Sequence, residues 1–148
     1  MAIKSVKIKL LHKDAIMPAY KTAGSAAFDL QGMLTRCCEN IMPGAPIVVK
    51  TGIAVEIPTG YVGVLSVRSG KGIKEGLKLS NQIGVVDSDF RGEITLGLWT
   101  DRPNGCRIEH GERIAQMMIL PATQMVLEQA EELTETSRGS GGLGSTGK

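Results

Sequence analysis

Apolar and polar residues alternate with a period of two through most of the first 121 positions. Val6, Ile8 and Leu10 are separated by Lys7 and Lys9, which predicts a half-buried strand whose lysines suit an edge or a solvent face. Met17-Pro18 breaks this strand, and KTAGSAAFDL leads into a short one with Asp29 between Phe28 and Leu30. Residues 47–49, 53–57, 61–67, 77–79 and 94–99 read as further strands. Pro43-Gly44, Pro58-Thr59-Gly60 and Pro103-Asn104-Gly105 punctuate them as turns. The run HGERIAQMMILP is too short for a confident helical period and stops at Pro121, so it reads as a strand. Many short alternating runs divided by Gly and Pro predict an all-β chain.

The chain is organised around NQIGVVDSDFRGEI, residues 81–94. An apolar run ends at Asp87, a turn with Ser88, Asp89 and Phe90 follows, and a new alternating run begins at Ile94. This pattern predicts a β-hairpin with Asp87 beside apolar walls, where desolvation would make a carboxylate a better base. Asp-Ser-Asp is equally ordinary turn chemistry, because these side chains hydrogen-bond their own backbone. The run 61–67 enters Arg68-Ser69-Gly70-Lys71-Gly72, a Gly-flanked basic loop of the kind whose N–H groups converge on an anion. An exposed basic turn explains the same residues, and Lys71 in particular reads as pointing to solvent. Arg113 and Gln116 stand in an otherwise apolar run and need partners, for which a ligand or another subunit is a candidate.

Length and composition narrow these readings. A chain of 148 residues is one domain with enough surface to bury for a core. There are 19 Gly and only 3% aromatics, in keeping with a turn-rich β architecture. A net charge of +2 is too small for a nucleic-acid footprint, so any cationic site is local. Three cysteines, two of them adjacent, and only two histidines argue for reduced thiols and against zinc. No signal peptide and no membrane span are expected, and with reduced thiols a cytoplasmic location is the expectation.

From residue 122 the chain turns polar and acidic, with a short strand read at 125–127 in a segment that has little to bury. It reads as an arm (122–148) leaving a body (1–121) and ends in RGSGGLGSTGK. Gly142 to Lys148 fits the front half of a P-loop, but the Ser or Thr and the helix that motif requires do not follow. A flexible Gly tail with Arg138, Ser145 and Thr146 can instead close over a bound polyphosphate as a lid.

Taken in order, AAFDL (26–30), RSG (68–70), NQIGVVDSDFRGE (81–93), GERIAQ (111–116) and RGSGGLGSTG (138–147) resemble the motifs of the trimeric dUTP diphosphatases of phage or bacterial type. The resemblance covers nearly the whole chain. It implies a jelly-roll-like β-barrel (the dUTPase β-clip), a homotrimer with exchanged C-terminal arms, and sites at subunit interfaces. The implied reaction is dUTP and water to dUMP and diphosphate with Mg²⁺, which keeps uracil out of DNA and supplies dUMP for dTMP synthesis. By resemblance, Asp87 activates water and Phe90 packs on the deoxyribose. Asn81 and the backbone of Gly84, Val85 and Val86 read uracil. Arg68, Ser69 and Gly70 hold phosphate, Gln116 lies near the α-phosphate, and Asp29 holds a water on Mg²⁺. Arg138 grips the γ-phosphate, while Leu143, Gly144, Ser145 and Thr146 wrap the substrate.

Several positions depart from the family pattern. Phe90 stands for the usual Tyr, Leu143 for the usual Phe, Ala27-Phe28 for Gly-Tyr, Val67 for Pro and Lys71 for an apolar residue. Two alternatives stay open at this stage, a dCTP deaminase-type enzyme on the same fold and a non-catalytic trimeric nucleotide-binding regulator.

Overall fold

The computed structural model describes residues 5–143. Among them the chain is built from β1 (Lys7–Leu10), β2 (Phe28–Gln31), β3 (Cys38–Ile41), β4 (Ile47–Glu56) and β5 (Tyr61–Val67). After a π-helical turn at Gly70–Lys74 come β6 (Leu77–Leu79), β7 (Gly84–Val86), β8 (Glu93–Thr100), β9 (Cys106–Glu109) and β10 (Arg113–Pro121). The all-β expectation holds.

Two four-stranded antiparallel sheets, ordered β1-β4-β8-β6 and β2-β10-β5-β7, face one another, and β3 pairs with β9 in a small third sheet. Strands alternate because every second side chain must reach the core. In β8, Ile94, Leu96, Leu98 and Thr100 are buried while the residues between them are not. Leu30, Ile53, Leu77, Leu96, Leu98, Ile114 and Met117 fill the interior and are almost wholly buried. Each such aliphatic side chain stabilises the fold by about 1.5–3 kcal/mol. β1 lies at a sheet edge with Lys7 and Lys9 exposed, as its pattern predicts. No helix among the described residues is long and apolar enough to cross a membrane.

The fold corrects several local readings. Residues 47–57 are not two strands but essentially one, β4, with a bulge between Lys50 and Ala54. The β3–β9 pair was not anticipated; Cys38-Glu-Asn-Ile41 carries too little alternation to announce a strand. The 81–94 stretch is not a hairpin: β7 pairs with β5 in one sheet, whereas β8 pairs with β4 and β6 in the other. No strand forms at 125–127, and from Ala122 onward nearly every described residue of the arm is exposed.

Candidate active site

The divergence of β7 and β8 creates the first part of the site. Their connection must cross from one sheet to the other, and a gap opens beneath it. The result is a cavity of about 190 Å³ bordered by Asn81, Gly84, Val85, Val86, Asp87 and Phe90, with Leu65, Glu93, Ile94 and Thr95 behind them. Sites for drug-sized ligands run to roughly 300–1,000 Å³, so this one suits a single ring. Gly84 lies directly opposite Leu65, and a Cβ there would come within 2.8 Å of the Leu65 Cβ. Glycine therefore lets β7 pack this close to β5.

The turn beyond Val86 is held by its own chain. The Phe90 N–H donates to the Asp87 carbonyl over 3.2 Å. The Arg91 guanidinium donates to the carbonyls of Ser88 (2.7 Å) and Phe90 (2.8 Å). The Phe90 ring folds back over Gly92, where a Cβ would meet its Cζ at 2.6 Å. At the other rim Gln82 adopts a left-handed φ of 63°, which is uncommon for a residue with a side chain. Asp87 is exposed in the single chain, contrary to the expected apolar surroundings. It borders both the small cavity and a wider groove of about 970 Å³ beside Thr59, Gly60, Tyr61 and Thr123.

The second part of the site lies on the outer face of the β2-β10-β5-β7 sheet. Directly paired residues of antiparallel strands share a face. Asp29 of β2, Gln116 of β10 and Ser66 of β5 are in register, so they form one polar row across the sheet. The Gln116 amide donates to Ser66 Oγ over 3.2 Å. A bulge in β10 between Arg113 and Ala115 places Arg113 opposite Gln31, on the same face as Asp29. Bulges re-aim side chains in this way. Residues three apart in a regular strand point to opposite faces; here Arg113 and Gln116 share one.

Asp29 binds two arginines. Its Oδ1 lies 3.1 Å from Arg68 Nε, and its Oδ2 accepts from Arg113 Nη1 over 2.8 Å. Arg68 also donates to the Arg113 carbonyl over 3.3 Å. The polar residues of β10 thus find partners within the chain. Arg113, to which no role was assigned from the sequence, is part of this cluster; the sequence signal was its isolation in an apolar run. Ser69 and Gly70 follow Arg68 and are exposed. The loop is not an open nest, since the backbone turns helical at Ser69 and Gly72 N–H donates to the Arg68 carbonyl over 2.9 Å. Lys71 does not point to solvent either. Its ammonium is buried against Glu75 (2.7 Å), Glu112 (2.7 Å) and the Arg107 carbonyl (3.0 Å). Burial opposes this charge, but the hydrogen bonds to Glu112 and Glu75 outweigh it and raise the lysine above its ordinary 10.5.

The donor set bears on Mg²⁺. Among the described residues no three His, Cys, Asp or Glu side chains come together as a metal cage. Mg²⁺ does not need one, because it keeps several waters and takes substrate phosphates with one or two carboxylates. A carboxylate offers about four acceptor positions. The Asp29 contacts with Arg68 and Arg113 leave acceptor capacity for a metal-bound water, so the residues present fit an outer-sphere role.

The small cavity and the polar row remain separate in one chain: none of Asp29, Arg68 and Gln116 borders the cavity. Among the described residues the arm contributes to neither. Arg138 Nε donates to the Gly141 carbonyl over 3.1 Å within the arm itself, and Leu143 is fully exposed. Gly144, Ser145 and Thr146 lie outside the described residues.

Comparison with known proteins gives this geometry its context. The deoxyuridine 5′-triphosphate nucleotidohydrolase of Acinetobacter baumannii is 43% identical, over 97% of this chain and 98% of the relative. That of Polynucleobacter asymbioticus is 38% identical over 99% of both. The structure of the Staphylococcus bacteriophage 80alpha dUTPase with dUpNHpp superposes with a TM-score of 0.86 at 30% identity, over 99% of this chain and all of that one. A variant of the dUTPase from phage phi11 of S. aureus, described as revealing the coordination of a structural Mg(II) ion, has a TM-score of 0.77 at 25% identity, over 87% of this chain and 98% of that one. The dUTPase family profile matches residues 13–147, and with the fold, the cavity after β7 and the arginine-bound Asp29 in place, the chain belongs to the dUTPase family.

Proposed function

We propose that the protein hydrolyses dUTP to dUMP and diphosphate, and that the cavity bordered by Asn81, Gly84–Val86, Asp87 and Phe90 carries its specificity. A ring-sized pocket bordered by the β7 backbone reads a uracil edge through N–H and C=O groups. It rejects cytosine, whose exocyclic donor and acceptor are reversed and would leave buried groups unpaired. Phe90 closes the sugar side and leaves no room for a 2′-hydroxyl. Asp87, at the junction of cavity and groove, orients and deprotonates the attacking water. Arg68, Ser69, Gly70 and Gln116 hold the phosphates, and Arg138 with the tail from Leu143 through Gly144, Ser145 and Thr146 closes over them. Asp29 would hold Mg²⁺ through a water, and the ion would supply charge neutralisation at the phosphates. Catalysis here is mainly positioning and charge neutralisation.

The acting unit is a homotrimer. Two observations support this. Cavity and polar row are apart in one chain, so one complete site needs more than one copy. The outer face of the β2-β10-β5-β7 sheet also carries Val64, Val85 and Met118 beside the polar row, with Val85 and Leu120 substantially exposed. An apolar face of this kind marks an interface. Light scattering coupled to gel filtration is expected to give three times the 15.7 kDa chain.

The test of function is diphosphate release with Mg²⁺ from dUTP, dCTP, dTTP and UTP. Release from dUTP alone, reduced about 10²–10⁴-fold in Asp87→Asn, is the expected result. Ammonia release from dCTP would replace this reading with a deaminase, and tight dUTP binding without turnover would replace it with a binding protein.

A further inference from the structure

Lys71 lies immediately after the Arg68-Ser69-Gly70 loop, and its side chain is only 8% exposed. Its ammonium has three protons and three acceptors, namely Glu75 Oε2, Glu112 Oε1 and the Arg107 carbonyl. The acceptors belong to three different places: the cap that ends the helical turn, the residue before Arg113, and β9. Glu112 is in turn fixed. Its other carboxylate oxygen accepts from the Glu109 N–H over 3.0 Å, and its carbonyl accepts from the Gly32 N–H over 2.9 Å.

The loop is therefore anchored at both ends. Arg68 is tied to Asp29 and to the Arg113 carbonyl at the start; Lys71 is tied to Glu112 and Arg107 at the finish. Only Ser69 and Gly70 between the anchors are exposed. Removing freedom from a binding loop before the ligand arrives reduces the ordering cost of binding. We propose that Lys71 is a positioning residue that holds the phosphate loop in its binding geometry, so that its effect falls on the polyphosphate and not on the nucleoside. This inference rests on the dUTP reading above and adds to it a buried cation that never touches substrate.

The experiment compares two probes, dUpNHpp and deoxyuridine, by calorimetry on the full chain. Wild type and Lys71→Met are tested, with circular dichroism to verify folding and wild-type dUTP turnover measured first. The expected result is affinity for dUpNHpp weakened about tenfold with deoxyuridine affinity unchanged. Equal weakening of both probes, or no change in dUpNHpp affinity, overturns the positioning role. A wild type that neither turns over dUTP nor binds dUpNHpp overturns the functional reading first and this inference with it. Should Lys71→Met fail to fold, Glu75→Gln withdraws one charged acceptor at a half-exposed position, and the same selective loss for dUpNHpp, about threefold, decides the question by the same criteria.

Discussion

Arg113 Nη1 donates to Asp29 Oδ2 over 2.8 Å, joining residues 84 positions apart in the chain. The contact exists because the β10 bulge puts Arg113 on Asp29's side of the sheet. Arg68 takes the other oxygen, so a single carboxylate fixes two cations at the edge of the proposed phosphate site.

Asp29→Asn is expected to destabilise the protein and to loosen both guanidinium groups. Losing one partner of a buried pair costs about 3–5 kcal/mol. Here the arginines are a third or more exposed, so a loss of about 1–2 kcal/mol is expected after allowance for solvent screening. Urea unfolding measures it. A rise in KM for dUTP should accompany it, since Arg68 loses its fixed orientation.

Gly84→Ala tests the cavity. The added methyl meets the Leu65 side chain, including its Cβ, across the β5–β7 ladder. Overpacking of this kind costs about 1–3 kcal/mol. Movement of β7 displaces the backbone proposed to read the base, so deoxyuridine affinity should fall along with stability, and calorimetry would show it. Unchanged affinity would separate this backbone from base recognition.

Leu143→Phe should tighten substrate binding. Leu143 is fully exposed in the single chain, and under the proposed closure of the arm a ring there stacks on uracil. Base–aromatic stacking contributes about 1–3 kcal/mol, so a dUpNHpp titration is expected to show roughly a five- to hundredfold gain. No gain would remove Leu143 from the substrate contacts.

The Lys71 cluster predicts an alkaline limit. Its pKa is raised in the folded protein, so its contribution is complete below the ordinary lysine value of 10.5 and is lost as pH rises through the raised value. The melting temperatures of wild type and Lys71→Met should differ by a constant amount from neutral pH to near 10.5, and converge above it. A difference that narrows well before 10.5 as pH rises from neutrality instead would assign the effect to another group.

Alternation, turn residues and short motifs are local, and what depends on them was legible. β2, β5, β6 and β10 lie where the period of two and the flanking Gly and Pro put them, and most of the cavity residues fall within one stretch of the sequence, from Asn81 to Thr95. Their separation into a base-sized pocket was not legible, because it depends on β7 choosing β5 while β8 joins β4. Pairing is a competition among strands distant in the chain, and no local pattern encodes its winner. Lys71 makes the same point for charge. In the sequence it is one more lysine in a basic turn; only the approach of Glu112 and the Arg107 carbonyl makes its burial tolerable. The spacing of Arg113 and Gln116 predicts opposite faces in a regular strand. One inserted residue at the bulge reverses that, and with it the reach of Arg113 to Asp29.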